Sequence, residues 1–320
     1  MILPQTFYAH GKLLLTAEYF VLDGAEALAL PTTFGQSLKI VENNEEKLIW
    51  KSFDNDGNIW FEGIFNHLNF DLLQSNDTAV GETLSNILKK ANQLSNTYNL
   101  SPNTHKQIET SLTFPKKWGL GTSSTLIYTI AQLFEVNPFD LLKQTFGGSG
   151  YDIACAGADS AIIYALKNGQ PTFDKVVFQP IFKDNLYFIY LGKKQNSREG
   201  IARYREKSKN LPAQSCFQLD GAFAPYFDQI TTLTHAFLKE NDLKSFEKLI
   251  VEHENIIASV IDLPRAQSLY FKDYWGQTKS LGAWGGDFIL ATSDRNFEET
   301  LHYFTEKGFE TVLKYREMIN

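Results

Sequence analysis

Apolar and polar positions alternate with two periods along the chain, and the change between them marks its elements. Residues 12–22, KLLLTAEYFVL, form a nearly unbroken apolar run that predicts a strand, and 36–40 predicts another. The segment 47–65 holds two aromatic-rich runs around Asp54, Asn55, Asp56 and Gly57. Turn residues in that place predict a hairpin. At 80–94 apolar residues recur three and four apart, the spacing of a helix with one buried face. Residues 106–114 alternate as a strand that Pro115 ends, and 123–136 is periodic as a helix, with Pro138 fitting its stop. Further strands are expected at 161–166, 174–181 and 186–191, and helices dominate from 217 to 260, most regularly over 241–260. A glycine loop at 282 then runs into an apolar strand, and a last helix, 297–308, ends at Gly308.

Strands precede helices in each half, which favours an α+β chain over a doubly wound sheet. At 320 residues the chain exceeds what one core usually organises. Two lobes are expected, 1–170 and 171–320, with the boundary somewhere in 165–185 and no Pro/Ser linker to mark it.

Composition narrows the partners. Hydrophobic residues make up 43% and charged residues 21%, enough apolar material for a sizeable core. The formal net charge of −7 argues against a nonspecific nucleic-acid or anionic-membrane surface. Two cysteines, Cys155 and Cys216, stand in no metal-ligand spacing and point to a reducing compartment. No signal peptide is evident at the start, and no apolar run reaches the length of a membrane span. A soluble, cytoplasmic protein is expected, monomeric or homodimeric.

Four short pieces carry candidate chemistry. The first is 114-FPKKWGLGTSSTLIY-128, a glycine loop between a strand and a helix. Helix-start amides lack internal partners and the helix dipole favours an anion there, while Gly119 and Gly121 admit phosphate oxygens close to the backbone. Thr122, Ser123 and Ser124 could donate hydrogen bonds or ligate Mg²⁺; the alternative is a Ser or Thr that caps the helix. No Walker A pattern is present. The second piece, 282-GAWGGDF-288, is by itself an ordinary glycine turn before a strand. In the third, 147-GGSGYDIACAG-157, one acid, Asp152, stands among small residues, as a turn or cap aspartate or as a base. The fourth holds Lys12 at the mouth of an apolar strand, either at the surface or turned inward toward an anion. Together, a phosphate cradle, a lysine and a turn-held aspartate form a kit for phosphoryl transfer.

These pieces, in this order, resemble the GHMP kinases, the superfamily of galactokinase and of the homoserine, mevalonate and phosphomevalonate kinases. The first motif is similar at Ala9 to Lys12, Leu15, Glu18, Tyr19, Val21 and Gly24; the second at Pro115 and Gly119 to Ser123. Ser149, Gly150, Tyr151, Asp152, Ile153 and Ala154 match the Ser-Gly-x-Asp-x-Ala element, and Leu281 to Asp287 resemble the third motif. A weaker likeness at 191–201 resembles a substrate-side hairpin.

The resemblance implies a ribosomal-S5-like N-terminal lobe, a ferredoxin-like C-terminal lobe, ATP with Mg²⁺, and a small-molecule acceptor, with mevalonate and phosphomevalonate nearest. It implies catalytic roles for Lys12 and Asp152. Gly119, Leu120, Gly121, Thr122, Ser123 and Ser124 would form the phosphate loop, with Ser123 on the metal. Glu18, Ser149, Gly150, Ser197, Arg198, Gly282, Ala283, Gly285 and Gly286 would line the acceptor side. Lys116, Lys117, Lys193, Lys194, Arg198 and Arg203 could meet a phosphorylated acceptor. Diphosphomevalonate decarboxylase chemistry and a silent nucleotide-binding role remain as alternatives. Four positions depart from the pattern: His10 replaces a proline, Ala17 and Trp284 replace glycines, and Leu141 stands where mevalonate kinases place a Mg²⁺-binding glutamate.

Overall fold

A computed structural model describes residues 5–42, 47–95, 106–193, 197–209 and 224–320. The chain forms two compact units that interleave in sequence. One comprises Met1–Gly11, Phe34–Lys116 and Leu120–Gly157; the other comprises Lys12–Thr33, Lys117–Gly119 and Ala158–Asn320.

The strands β1 (Thr6–Leu14) and β2 (Ala27–Glu42) contribute residues to both units. In the first unit the C-terminal part of β2 joins β3 (Leu48–Phe53), β4 (Ile59–Phe65), β5 (Leu72–Ser75) and β6 (Lys106–Leu112) in the order β5-β4-β3-β6-β2. The β3–β4 pair is the expected hairpin: Asp54 Oδ1 accepts the Asp56 and Asn58 N–H groups, which fixes the turn. Pairing of β3 with β6 is parallel, so the chain must cross over, and α1 (Thr78–Leu94) lies on that crossover. Asp77 caps α1 by accepting the Val80 N–H. The inward faces of the strands, including Leu38, Trp50, Phe61, Phe65 and Ile108, pack with Leu84, Ile87 and Leu88 of α1 and Ile127, Ile130 and Phe134 of α2 (Thr122–Phe134). Alternation along β3 and three/four spacing along the helices generate that core.

α2 ends at Phe134, with Pro138 just beyond as expected, but Pro138 does more than mark that stop. It opens the next helix, α3 (Pro138–Thr145), as its first residue, where its missing N–H costs nothing, and Asn137 caps it by accepting the Phe139 and Asp140 N–H groups. A short α4 (Tyr151–Ala156) follows the glycine run and packs against α2 and α3.

In the second unit, β7 (Ile162–Lys167) pairs with residues 27–29 of β2 and with β8 (Gln170–Lys175). A separate antiparallel sheet among the described residues has the order β10-β11-β9-β12, formed by Thr278–Ser280, Phe288–Thr292, Leu186–Tyr190 and Val312–Lys314. Its helices are α5 (Ser197–Lys209), α6 (Ala224–Lys239), α7 (Leu243–Ile261), α8 (Ala266–Tyr270), α9 (Phe297–Glu306) and α10 (Tyr315–Met318). The α+β class expected from the sequence is what forms.

Three expected elements change. The run 12–22 is strand only to Leu14; it then turns, and Phe20–Asp23 is a short 3₁₀ helix. All of Leu13 to Val21 is nevertheless buried, so the apolar run recorded burial rather than extension. The strand expected at 174–181 ends at Lys175. Val176 still donates its N–H to the Ala161 carbonyl, but Pro180 offers no N–H and Val177 and Ile181 are exposed (76% and 80%), so the ladder is not continued. The likeness to a hairpin at 191–201 gives way to α5, which starts at Ser197; residues 194–196 lie outside the described residues. Of the helical region expected from 217, residues up to 223 also lie outside them.

Candidate active site

The glycine loop before α2 is built for backbone exposure. Gly121 takes the N-cap position with a left-handed φ of 96°, and no side chain caps the helix start. A Ser or Thr cap, the ordinary alternative, is therefore not what the loop provides. The first-turn amides keep their affinity for an anion, and the helix dipole adds to it. Ser123 is exposed at this helix start. Ser124 is buried and its hydroxyl donates to the Gly121 carbonyl at 2.8 Å, so it holds the turn together. Thr125, not singled out from the sequence, donates to Gln36 Oε1 at 2.7 Å and pins the helix start to β2. Leu120 is fully buried and anchors the loop.

In the same unit the bare stretch before Asp152 is a turn of left-handed glycines: φ is 66° at Gly147, 107° at Gly148 and 84° at Gly150. Nothing lies within 4 Å of where a Cβ would stand on Gly147 or Gly148. Gly150 is the N-cap of α4, and Asp152 lies in the first turn, half-buried, with Oδ1 accepting the Ile153 N–H at 3.1 Å. Ser149 is buried beside it in sequence. Leu141 explains the departure upstream: it is fully buried in the core on α3, where a carboxylate would have no water and no cation. Lys116 lies over the Trp60 ring at 4.0 Å from its centre, a cation–π contact rather than a free phosphate ligand.

The second unit gathers the remaining pieces. Lys12 is turned inward, and its ammonium donates to the Gly119 carbonyl at 3.1 Å. Segment 117–119 is held there by Tyr190, whose hydroxyl donates to the Lys117 carbonyl, and by Trp118 set edge-on to Phe288. Gly119 has φ +70° and faces the Asp287 carboxylate so closely that a Cβ would stand 2.6 Å from Oδ1. Asp287 is itself fixed at both main-chain ends, its N–H donating to Lys193 O and its carbonyl accepting from Leu191 N–H. Lys193 also reaches the Tyr270 hydroxyl at 3.3 Å.

Two departures from the motifs prove to share one backbone property. Ala17 has φ 63° and Trp284 has φ 49°, so both keep the left-handed geometry that glycine adopts freely. Trp284 is buried, and its indole N–H has no acceptor among the described residues. Gly282 and Gly285 are left-handed too, at 67° and 83°, and Tyr19 donates its hydroxyl to the Ala283 carbonyl at 3.0 Å. Of Ser197 and Arg198 the structure gives only their place at the start of α5.

Sequence reasoning passed over the partners of Glu18. Glu18 is buried, with Oε1 2.6 Å from Lys279 Nζ and Oε2 3.3 Å from His253 Nε2. His253 and Glu254 are, with Glu247, the buried ionisable residues of α7, which also buries Phe246, Ile250 and Ile257. An ionisable pair in an apolar stripe was the signal that could have found them.

No protein-family model matches the sequence, and no curated protein does. Solved structures do. L. major mevalonate kinase, determined in complex with R-mevalonate, is 16% identical with a TM-score of 0.65 over 97% of this chain and 94% of its own. Streptococcus pneumoniae phosphomevalonate kinase, determined with phosphomevalonate and AMPPNP, is 15% identical with a TM-score of 0.65 over 97% and 99%. Mevalonate diphosphate decarboxylase from Staphylococcus aureus is 12% identical with a TM-score of 0.58 over 97% and 95%. The chain has the GHMP kinase fold. On a GHMP fold, identities this low speak to architecture and leave the chemistry to the residues. Among the described residues no helix is long and apolar enough to cross a membrane.

Proposed function

We propose that the chain is an ATP-dependent phosphotransferase acting on a small-molecule acceptor of the mevalonate or phosphomevalonate kind. One observation carries the reading: α2 begins at a left-handed glycine with no side-chain cap, inside a loop whose sequence resembles the superfamily's phosphate-binding motif. In this reading the backbone amides at Thr122 to Ser124 bind phosphate oxygens, and Gly121, with no side chain at the N-cap, leaves the room to do so, while Gly119 makes room for the Asp287 carboxylate. Lys12 fixes the Gly119 carbonyl and adds positive charge to the loop. Asp152 takes the proton of the attacking acceptor group. Gly282, Ala283, Gly285 and Gly286 carry the role that the third-motif resemblance implies, contact with phosphate or acceptor.

The superfamily's Mg²⁺ fits this chain only in part. Ser123 could offer a hydroxyl, but Leu141 in the core supplies no carboxylate, and Mg²⁺ ordinarily keeps one or two. When bound with ATP, Mg²⁺ would neutralise phosphate charge.

The test is ADP formation measured against mevalonate, phosphomevalonate, homoserine and several sugars, for the parent chain and for Asp152→Asn. A turnover with one acceptor that falls by orders of magnitude in Asp152→Asn, with ATP binding retained, supports the reading. Equal rates in the two chains would remove Asp152 as the base. CO₂ release from a diphosphorylated acceptor would assign the decarboxylase chemistry instead. ATP binding without ADP from any acceptor would favour a silent nucleotide-binding protein, the reading that buried Leu141 motivates.

A further inference from the structure

A buried quartet ties the turn at 16–19 to the strand that leads into the third glycine loop. Glu18, His253, Glu254 and Lys279 are all essentially without solvent contact. Lys279 Nζ lies 2.6 Å from Glu18 Oε1 and 3.6 Å from Glu254 Oε1. Glu254 Oε1 accepts the Ser280 N–H at 3.1 Å, and Ser280 Oγ donates toward its other oxygen at 3.4 Å. Ligand atoms of Glu18, His253 and Glu254 lie within 4.8 Å of one another, as they would around a metal. The Lys279 ammonium already stands against both carboxylates, so the cluster carries its cation on the chain.

Within the quartet the charges do not balance without a proton; Arg265 acts on Glu254 only from beyond ion-pair distance. One ammonium faces two carboxylates, and a net buried charge costs several kcal/mol, far more than a shared proton. His253 does not supply the missing positive charge. Its Nε2 accepts the Ala17 N–H at 3.0 Å, which leaves the ring neutral with its proton on Nδ1. Burial presses the same way: it holds His253 well below its usual range, raises Glu18, and pushes Glu254 up to about 7 despite the nearby Lys279. The other groups facing Glu254 are the Glu18 carboxylate and Arg265, at the start of α8; Phe237 of α6 is edge-on to His253.

The quartet touches both approaches to the loop. Glu18 precedes Tyr19, which bonds the Ala283 carbonyl within the loop, and Ser280 immediately precedes Leu281 at its start. We propose that the Glu18–Lys279–Glu254–His253 quartet is a positioning device for residues 281–287, and that one proton shared by its two carboxylates sets how that loop is held for a phosphate-bearing ligand. The proposal rests on the phosphotransfer reading only for what the loop binds.

The test uses the full chain, with ADP as the probe and Trp284 as the reporter of loop position, read as the difference in emission between each chain and its Trp284→Phe counterpart. In the parent, ADP affinity and the Trp284 signal should change together, with a midpoint at about pH 7. Glu254→Gln, which fixes the neutral form, should abolish both transitions. Lys279→Met strands the carboxylates and should weaken ADP at least about tenfold, and Glu18→Gln with Lys279→Met should recover most of the loss. A purely structural cluster would move the melting temperature without moving the midpoint. The proposal fails if Glu254→Gln titrates as the parent does, or if the double variant binds no better than Lys279→Met. If Lys279→Met does not fold, Glu254→Gln alone decides. If ADP binds at no pH, the phosphotransfer reading fails, and the Trp284 transition, lost or kept in Glu254→Gln, still decides for or against the quartet.

Discussion

Gly119→Ala isolates the tightest constraint on the phosphate loop. The residue has φ +70°, and a Cβ would stand 2.6 Å from Asp287 Oδ1. A left-handed alanine costs about 1–2 kcal/mol. Forcing a methyl against the carboxylate adds about 1–3 kcal/mol, because main-chain bonds on both sides hold the Asp287 backbone and the carboxylate must leave its rotamer to make room. The expected destabilisation is the sum, about 2–5 kcal/mol, read by urea unfolding. The Lys12 bond to the Gly119 carbonyl should shift as well, so ADP affinity should fall. Asp287→Ala opens the space that the methyl needs. Combined with Gly119→Ala it should remove the steric part and leave about 1–2 kcal/mol from the backbone. A Gly119→Ala chain within about 0.5 kcal/mol of the parent, or a double variant whose losses simply add, would refute the packing argument.

Three further outcomes are expected. Ala17→Gly relieves a left-handed alanine at the turn beside Glu18, so it should unfold no earlier than the parent in urea; a loss above about 1 kcal/mol would contradict that geometry. Glu254 holds its proton more tightly folded than unfolded, so its contribution to stability is complete below the ordinary carboxylate range and lost as pH rises through about 7. The parent should therefore lose about 3 kcal/mol relative to Glu254→Gln between about pH 5 and pH 8, measured by urea unfolding at each pH. His253 acts oppositely: its contribution is present above its usual range and lost as pH falls. Leu141→Glu should cost about 3 kcal/mol or more, with no recovery on adding Mg²⁺, because the carboxylate enters the apolar core; magnesium-dependent recovery in unfolding assays would overturn that placement.

The fold was legible where period and punctuation agreed. The hairpin at 48–65, α1, α2 and α9 follow from spacing, with Asp54 to Gly57 marking the turn. The run at 12–22 misled because a buried turn and a buried strand look alike when most residues are apolar, with only Lys12, Thr16 and Glu18 interrupting. Pro138 marked the end of α2 but not the start of α3, because proline follows one helix or begins another and the Asn137 cap decides the second. The glycine loops were visible as composition, and their left-handed geometry follows from it. That Ala17 and Trp284 keep the same geometry was not visible, since the constraint comes from neighbours distant in sequence. The quartet was hidden for the same reason: Glu18, residues 253–254 and Lys279 meet only after folding.

Transfer of label from γ-³²P ATP is the most direct test of phosphotransfer through Asp152. With mevalonate or phosphomevalonate as acceptor, label should enter the organic product rather than inorganic phosphate, and Asp152→Asn should reduce that transfer by orders of magnitude while still binding ATP. Label that stays in ATP with every acceptor, or that enters product equally fast in Asp152→Asn, would contradict it.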